Sequence, residues 1–396
     1  MAGSPDAERV ERMRTSMAAE GLDGLILRLP ENIVLLGGTY PLTGLNFLLF
    51  PRDGEPMLLV PQSEAEEASD GWWSDIRTFE FGTLSAGNPY EQIQRVLRSF
   101  VSLKGKSWKR IGYEGSFEFV APALLSGEGF YPAKPTEALF SAVFEQMERL
   151  DCTDLLHRER ATKTEREIAK LQIANRIAEI GLAKFAEVVV PGKTEGEIAG
   201  LVVAAIMKDG VGSFGPLKVQ AFPQVTSGPE HTAAAWRPCV ISTDRILREG
   251  DLAILELGVV ADGFWADVTR TRVAGVPSAR QKELFDVVRS AQEAAEGAAA
   301  VGVKCADVDR AARAIIEKAG LGEYFVHVTG HGIGFRYHEP SPTLHPDSDE
   351  VLQAGMVFSV EPGIYLPGFG GIRIENDVAL TQTGKMVLTT FDKRLS

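Results

Sequence analysis

Cysteine is scarce: three residues, Cys152, Cys239 and Cys305, are scattered along 396 positions, and no C-x-x-C occurs. Neither a disulfide framework nor a cysteine zinc site is therefore indicated, and buried free thiols are the expectation for all three. Long apolar runs are missing too. No stretch approaches the roughly 20 apolar residues that a helix needs to cross a bilayer. The polar opening Met1-Ala-Gly-Ser-Pro-Asp lacks the apolar segment of a signal peptide, so a cytoplasmic location is expected. Positive charge is in deficit. A formal net charge of −13 disfavours nucleic acid or an anionic membrane surface as partner, because both require a basic face. Also absent are the G-x-S-x-G nucleophile elbow, H-E-x-x-H, the Walker loop and a G-x-G-x-x-G after a strand. Serine hydrolase, NTPase and Rossmann oxidoreductase chemistry thus have little support.

What is present is the composition of an ordinary globular protein, 44% apolar and 24% charged, in a chain too long for one typical core. Two domains are expected, 1–155 and 156–396. In the first, apolar spacing predicts a helix over 6–20, a strand at 23–28, a helix opening at Pro30 and stopped by Gly37-Gly38, and a hairpin pairing Phe47–Phe50 with Met57–Val60. A helix around 89–101, a strand at 110–114 and helical segments to about residue 150 follow. Such alternation indicates an α/β domain over a mixed sheet. Trp72-Trp73 reads as packing or an interface. Residues 151–165 are polar and form the expected junction, and Thr164-Glu-Arg-Glu167 is a capping box that opens a long helix.

An internal repeat lies beyond it. Residues 192–212 align without gaps to 302–322, with Gly192, Ala204, Ile206, Lys208, Gly210 and Gly212 matching Gly302, Ala314, Ile316, Lys318, Gly320 and Gly322. Two copies are too few and too far apart for a solenoid, so they imply two related halves meeting at a cleft.

Two hairpins carry the polar residues. Asp251–Arg272 holds two apolar runs around Asp262-Gly263, with Glu256 in one run and Asp267 in the other. If the loop is Ala261-Asp262, the two acids are directly opposed. If it is Asp262-Gly263, they are diagonal. Either register puts them on one face. In the second hairpin, a three-residue loop centred on Gly368 sets Glu361 opposite Glu375. His331, within Gly330-His-Gly-Ile-Gly334, and His338-Glu339 precede it. Four carboxylates and one histidine in apolar surroundings are costly unless positive charge sits among them. They form a natural cage for two divalent ions such as Mn, Co or Zn, which could activate a water between them for hydrolysis.

The motifs Asp267-Val-Thr-Arg-Thr, Gly330-His-Gly-Ile-Gly, His338-Glu, Val360-Glu-Pro-Gly-Ile-Tyr and Gly371-Ile-Arg-Ile-Glu occur in order. Together they resemble the metallopeptidases of the methionine aminopeptidase, aminopeptidase P, prolidase and creatinase group. The resemblance implies an α/β (α+β) chain, with a creatinase-like N-terminal domain before a pita-bread catalytic domain, and the two-domain form is that of the Xaa-Pro peptidase branch. It further implies that Glu256 and Asp267 hold one metal and His331 and Glu361 the other, with Asp267 and Glu375 bridging. Glu361 would be the general base, and His338, with His331 nearby, would stabilise the tetrahedral intermediate. Arg373 would steer a substrate group or orient Glu375. His231, Trp236 and His327 are candidates for the substrate pocket. The expected substrate is a proline-containing dipeptide or short peptide. The expected assembly is a homodimer in which Thr39–Gly44 borders the partner's site.

Three departures stand out. Glu256 replaces the family's aspartate. The histidine expected about eight residues after Ser227-Gly228 falls on Ala235 or Trp236, with His231 out of register. Pro340-Ser-Pro-Thr follows His338-Glu339 where prolidases often carry an arginine. These motivate two rivals: a creatinase-like hydrolase or lyase on a small C–N substrate, and a catalytically silent binding domain.

Overall fold

The computed structural model describes residues 3–84, 86–116, 134–237 and 240–396. Among these, a first compact unit ends at Arg160 and a second runs from Ala161 to Ser396. No helix among the described residues is long and apolar enough to cross a membrane.

The first unit is built on six strands, β1 (Gly24–Leu27), β2 (Phe47–Pro51), β3 (Met57–Pro61), β4 (Asp75–Phe79), β5 (Arg110–Tyr113) and β6 (Glu148–Asp151), in the order β4-β3-β2-β1-β5-β6. The β1–β2 and β2–β3 pairs are antiparallel and the others parallel, so the sheet is mixed. Its helices are α1 (Ala7–Ala19), α2 (Pro30–Gly37), α3 (Ala65–Ala68), α4 (Pro89–Lys104), α5 (Lys134–Val143) and α6 (Thr153–Ala161). Asp6 caps α1 through the Arg9 amide, and Gly38 closes α2 in the left-handed conformation. Ile26, Phe47, Leu49, Ile93, Leu97 and Phe140 belong to one buried core.

Two expectations need correction here. The stretch towards residue 150 is not all helical, because Glu148–Asp151 forms an edge strand. Neither face of it is buried, so it carries no apolar alternation to read. The polar stretch expected as a junction contains α6. The part of the helical expectation between 117 and 133 lies outside the described residues, as does Cys239. Cys152 and Cys305 are buried free thiols. Trp73 donates to Leu36 O at 2.7 Å and packs edge-on against Phe50 and Trp72, a packing role. Glu114 is buried at the start of α2, where it accepts from the Arg28 amide (2.8 Å), the Leu29 amide (2.9 Å) and Asn32 Nδ2 (2.7 Å). Burial outweighs these bonds and pushes its carboxyl up to about 7.

In the second unit, α7 (Glu165–Val188) opens with the expected capping box. Then come α8 (Glu195–Asp209), β7 (Val219–Ser227), α9 (Gly228–Ala233), β8 (Leu252–Ala261), β9 (Phe264–Val273), α10 (Ala279–Ala298) and α11 (Cys305–Lys318). The remaining strands are β10 (Gly330–Gly332), β11 (Glu339–Leu344), β12 (Val357–Val360), β13 (Gly363–Leu366), β14 (Gly370–Arg373), β15 (Asn376–Thr381) and β16 (Gly384–Val387). They form sheets β7-β8-β9, β11-β10-β12-β15-β16 and the ribbon β13-β14.

The repeat is structural. Both α8 and α11 begin three residues after the matched glycines. The Gly192 amide donates to Leu247 O at 2.9 Å and the Gly302 amide to Leu352 O at 2.8 Å, the same anchor in each half. One core gathers α7, α8 and β7–β9; another gathers α10, α11 and β12–β15.

Candidate metal centre

Both hairpin registers can be read directly. Ala261 pairs with Phe264, so the first loop is Asp262-Gly263, with φ of 48° and 90°. Positive φ at both loop positions is what a type I′ hairpin demands. Glu256 therefore faces Thr269, and Asp267 faces Gly258, which makes the two acids diagonal neighbours on one face. In the second hairpin Leu366 pairs with Gly370, leaving Gly368 at the loop centre. The β12–β15 pairing (Val360 with Asn376) and the β13–β14 pairing (Gly363 with Arg373) keep one register, and Glu361 and Glu375 occupy opposed positions in the gap between them.

At that gap the backbone looks elsewhere. The Glu361 amide donates to Thr329 O (2.8 Å), and the Glu375 amide donates to Thr269 O (3.1 Å), a bond that ties the two hairpins together. His331 sits on β10, where its amide donates to Ser359 Oγ at 3.1 Å. Its Nδ1 is 3.0 Å from Gly332 O, so Nδ1 carries the proton and Nε2 faces the acids, 3.5 Å from Asp267 Oδ2 and 3.4 Å from Glu361 Oε1. Glu375 accepts from Thr269 Oγ1 at 2.6 Å, and Ser359 Oγ donates to Glu361 Oε1 at 3.1 Å. His338 lies with its ring 4.3 Å from that of His331.

The electrostatics follow from crowding acids in a dry site. Burial raises Glu361 to about 7 against the opposing pull of His331 and Arg373, and burial with Asp267 nearby raises Glu375 well above the usual carboxylate range. For His331, burial favours the neutral ring, but the hydrogen bond and charge of Asp267 and the charge of Glu361 outweigh it and lift the imidazole to about 9. Burial, reinforced by the His331 charge, lowers His338 to about 2, so it is neutral.

The expected donors Asp267, His331, Glu361 and Glu375 fall into two groups joined at His331, and their chemistry fits a divalent ion. His331, Glu361 and Glu375 place ligand atoms within 4.8 Å of one another, and so do Asp267, His331 and His338. Glu375 Oε1 and His338 Nδ1 are buried without a hydrogen-bond partner, donor atoms that an ion would satisfy. Glu256 belongs to neither group. Its Oε2 is hydrogen-bonded by Arg373 Nη2, and its Oε1 lies 3.1 Å from Tyr337 OH and 3.4 Å from Gln224 Nε2. The longer side chain of Glu256 reaches the Arg373 guanidinium.

Arg373 is committed to the protein. Its Nε donates to Thr269 Oγ1 (3.3 Å), and its Nη1 to Ala235 O (2.8 Å) and Tyr365 OH (2.9 Å). It shares Thr269 Oγ1 with Glu375. Tyr365 OH is also 2.9 Å from His327 Nε2, while His327 Nδ1 is 2.7 Å from Val328 O. A neutral ring donating from Nδ1 accepts the Tyr365 proton at Nε2, and burial next to Arg373 holds His327 neutral, its pKa down at about 3. His327 is thereby linked to Arg373 through one phenol. His231 is held elsewhere, its Nδ1 2.9 Å from the fully buried Glu195, which also accepts from Ser227 and Thr243. The Trp236 side chain is exposed and stacks with Arg237.

Three residues that motif reading passes over complete the site. Thr269 is the ladder partner of Glu256, a position that the hairpin pattern exposes once its register is known. Asp377 accepts the Asp267 amide (3.1 Å) and Asn175 Nδ2 (2.9 Å), which fixes Asp267 from behind. Tyr337 precedes His338 and has no signal beyond that adjacency.

A carboxylate–histidine cage on two related halves, following an α/β unit in the sequence, defines a metal-binding hydrolase architecture. Sequence comparison makes it specific: residues 169–382 match the model of metallopeptidase family M24, residues 9–135 match the creatinase/prolidase N-terminal domain, and the chain belongs to that metallopeptidase family. Its relatives include an Xaa-Pro dipeptidase of Lactobacillus helveticus, 33% identical over 88% of this chain and 87% of that protein. An Xaa-Pro dipeptidase of Pyrococcus furiosus is 29% identical over 98% and 99%. The crystal structure of recombinant prolidase from Thermococcus sibiricus superposes with a TM-score of 0.77 at 30% identity, covering 99% of each chain.

Proposed function

We propose that this chain is a metal-dependent peptidase that hydrolyses the bond before proline in Xaa-Pro dipeptides. The observation that carries the reading is that two groups of donors, Asp267–His331–His338 and His331–Glu361–Glu375, meet at His331, in a chain matching Xaa-Pro dipeptidases over nearly its full length. A bound divalent ion would polarise the scissile carbonyl and acidify a water. Of the two ions expected from the sequence, the geometry supports the one held by His331.

The chain's own groups supply the rest. Glu361, pushed up to about 7, can take a proton from the attacking water at a carboxylate oxygen and return it to the leaving imide nitrogen. His338 stays neutral and can donate one N–H to the developing oxyanion. Arg373, held by Tyr365, Thr269 and the Ala235 carbonyl, keeps a fixed positive charge against the acids. The homodimer with Thr39–Gly44 at the partner's site remains part of this proposal, and sedimentation tests it.

The test is a panel of Xaa-Pro dipeptides, Xaa-Ala dipeptides and Xaa-Pro tripeptides given to Mn2+-loaded protein. The expected result is cleavage of Xaa-Pro dipeptides. No cleavage of any peptide would overturn the reading in favour of the creatinase-like one, which the loss of a histidine at Ala235 and Trp236 motivates.

A further inference from the structure

The Glu256 end of the cage is already filled by the protein. Tyr337 OH lies 2.9 Å from Asp267 Oδ1 and 3.1 Å from Glu256 Oε1, bridging the two acids expected to share an ion. A phenol has one proton, which it donates to one of these acceptors at a time, and its oxygen occupies the space between the two carboxylates. On the other side, the Arg373 guanidinium pairs with Glu256 Oε2 and supplies the positive charge that an ion would bring.

The phenol is set there by the fold. Tyr337 is 3% exposed, and its ring packs against Trp265 (5.5 Å between centroids) and His338 (4.6 Å). It also lies over Gly258, the ladder partner of Asp267, where a Cβ would come within 2.7 Å of Tyr337 Cε2. A side chain at residue 258 would collide with the ring, and its absence leaves the space the ring occupies. An ion between Glu256 and Asp267 would have to displace the hydroxyl, and Glu256 would have to leave a buried guanidinium.

We propose that the site takes one divalent ion per chain, on Asp267, His331, Glu361 and Glu375, and that Tyr337 and Arg373 stand in for a second ion by holding Glu256 and Asp267 themselves. This inference rests on the metal-dependent reading above. It makes Tyr337 a positioning residue, and it assigns the glutamate at 256 to the guanidinium rather than to a metal.

The test counts ions. Metal-stripped full-length protein is equilibrated with Mn2+, bound metal is measured by elemental analysis, and the electron spin spectrum separates isolated from exchange-coupled Mn2+. One ion per chain with an isolated-ion spectrum is expected. Tyr337→Phe removes the hydroxyl and keeps the ring, and Tyr337→Val removes both. The inference expects a second ion and a coupled spectrum in at least the valine variant, with circular dichroism confirming the fold. Two ions in the unaltered protein would overturn the inference alone. A single ion in both folded variants would overturn the role of Tyr337. No ion in the unaltered protein would overturn the metal-dependent reading and this inference with it. Should the variants not fold, the count in the unaltered protein decides by itself.

Discussion

Replacing Arg373 with methionine removes the guanidinium that faces the acids and keeps most of the side-chain volume. Arg373 is 4% exposed and pairs with Glu256, while its other nitrogens serve Thr269, Tyr365 and the Ala235 carbonyl. Breaking a buried pair by removing one partner costs about 3–5 kcal/mol, because the remaining charge is left uncompensated. Burial already raises the Glu256 pKa, so the acid can escape part of that cost by taking a proton, and the lower end, about 3 kcal/mol, is expected at pH 8. In a unit of this size that is a drop of roughly 6–12 °C in Tm. The loss should shrink as pH falls, because Glu256, already raised by burial, takes up a proton more readily once the guanidinium is gone. Thermal melts with chelator and with Mn2+ check the reasoning, since a divalent ion at the neighbouring acids restores positive charge and should raise Tm more in the variant than in the unaltered protein. A variant as stable as the parent in chelator, or equally stabilised by Mn2+, would refute it.

Glu361→Gln should lower turnover by at least about 100-fold, the lower range for removing a general base, without loss of thermal stability at pH 8. Steady-state kinetics on metal-loaded protein, with a parallel melt, would show it. Glu114 has a folded-state pKa near 7 against an ordinary value of 4.5. The folded state therefore binds its proton more tightly. That contribution is fully present below pH 4.5 and is lost as pH rises to 7, by up to about 3 kcal/mol. Glu114→Gln should flatten the stability of the first unit across that window, measured by denaturant titration at several pH values. Gly263→Ala should cost about 1–2 kcal/mol, because its φ of 90° is unfavourable for a residue with a Cβ, and should leave the metal count unchanged.

Much of the site was legible because its donors are local in sequence. The acids lie in hairpins, and period-2 alternation with turn residues defines which ones share a face; this places Asp267 with Glu256 and opposes Glu361 to Glu375. The repeat was legible for the same reason, as glycines mark both ends of α8 and α11. What was not legible depends on distant partners. The Glu256–Arg373 pair joins residues 117 apart, and nothing in either neighbourhood announces it. Tyr337 reads as a core aromatic until its hydroxyl is found between two acids. The edge strand Glu148–Asp151 has no buried face and so no apolar pattern. The partner of His231 was also not legible: its Nδ1 lies 2.9 Å from Glu195, 36 residues earlier, which Ser227 and Thr243 also hold.

The most direct test of the central claim is proline release from an Ala-Pro dipeptide by metal-stripped protein titrated with Mn2+. The account predicts no release in chelator, recovery on adding Mn2+, and no recovery in His331→Ala. Proline release that persists in chelator, or that returns fully in His331→Ala, would contradict it.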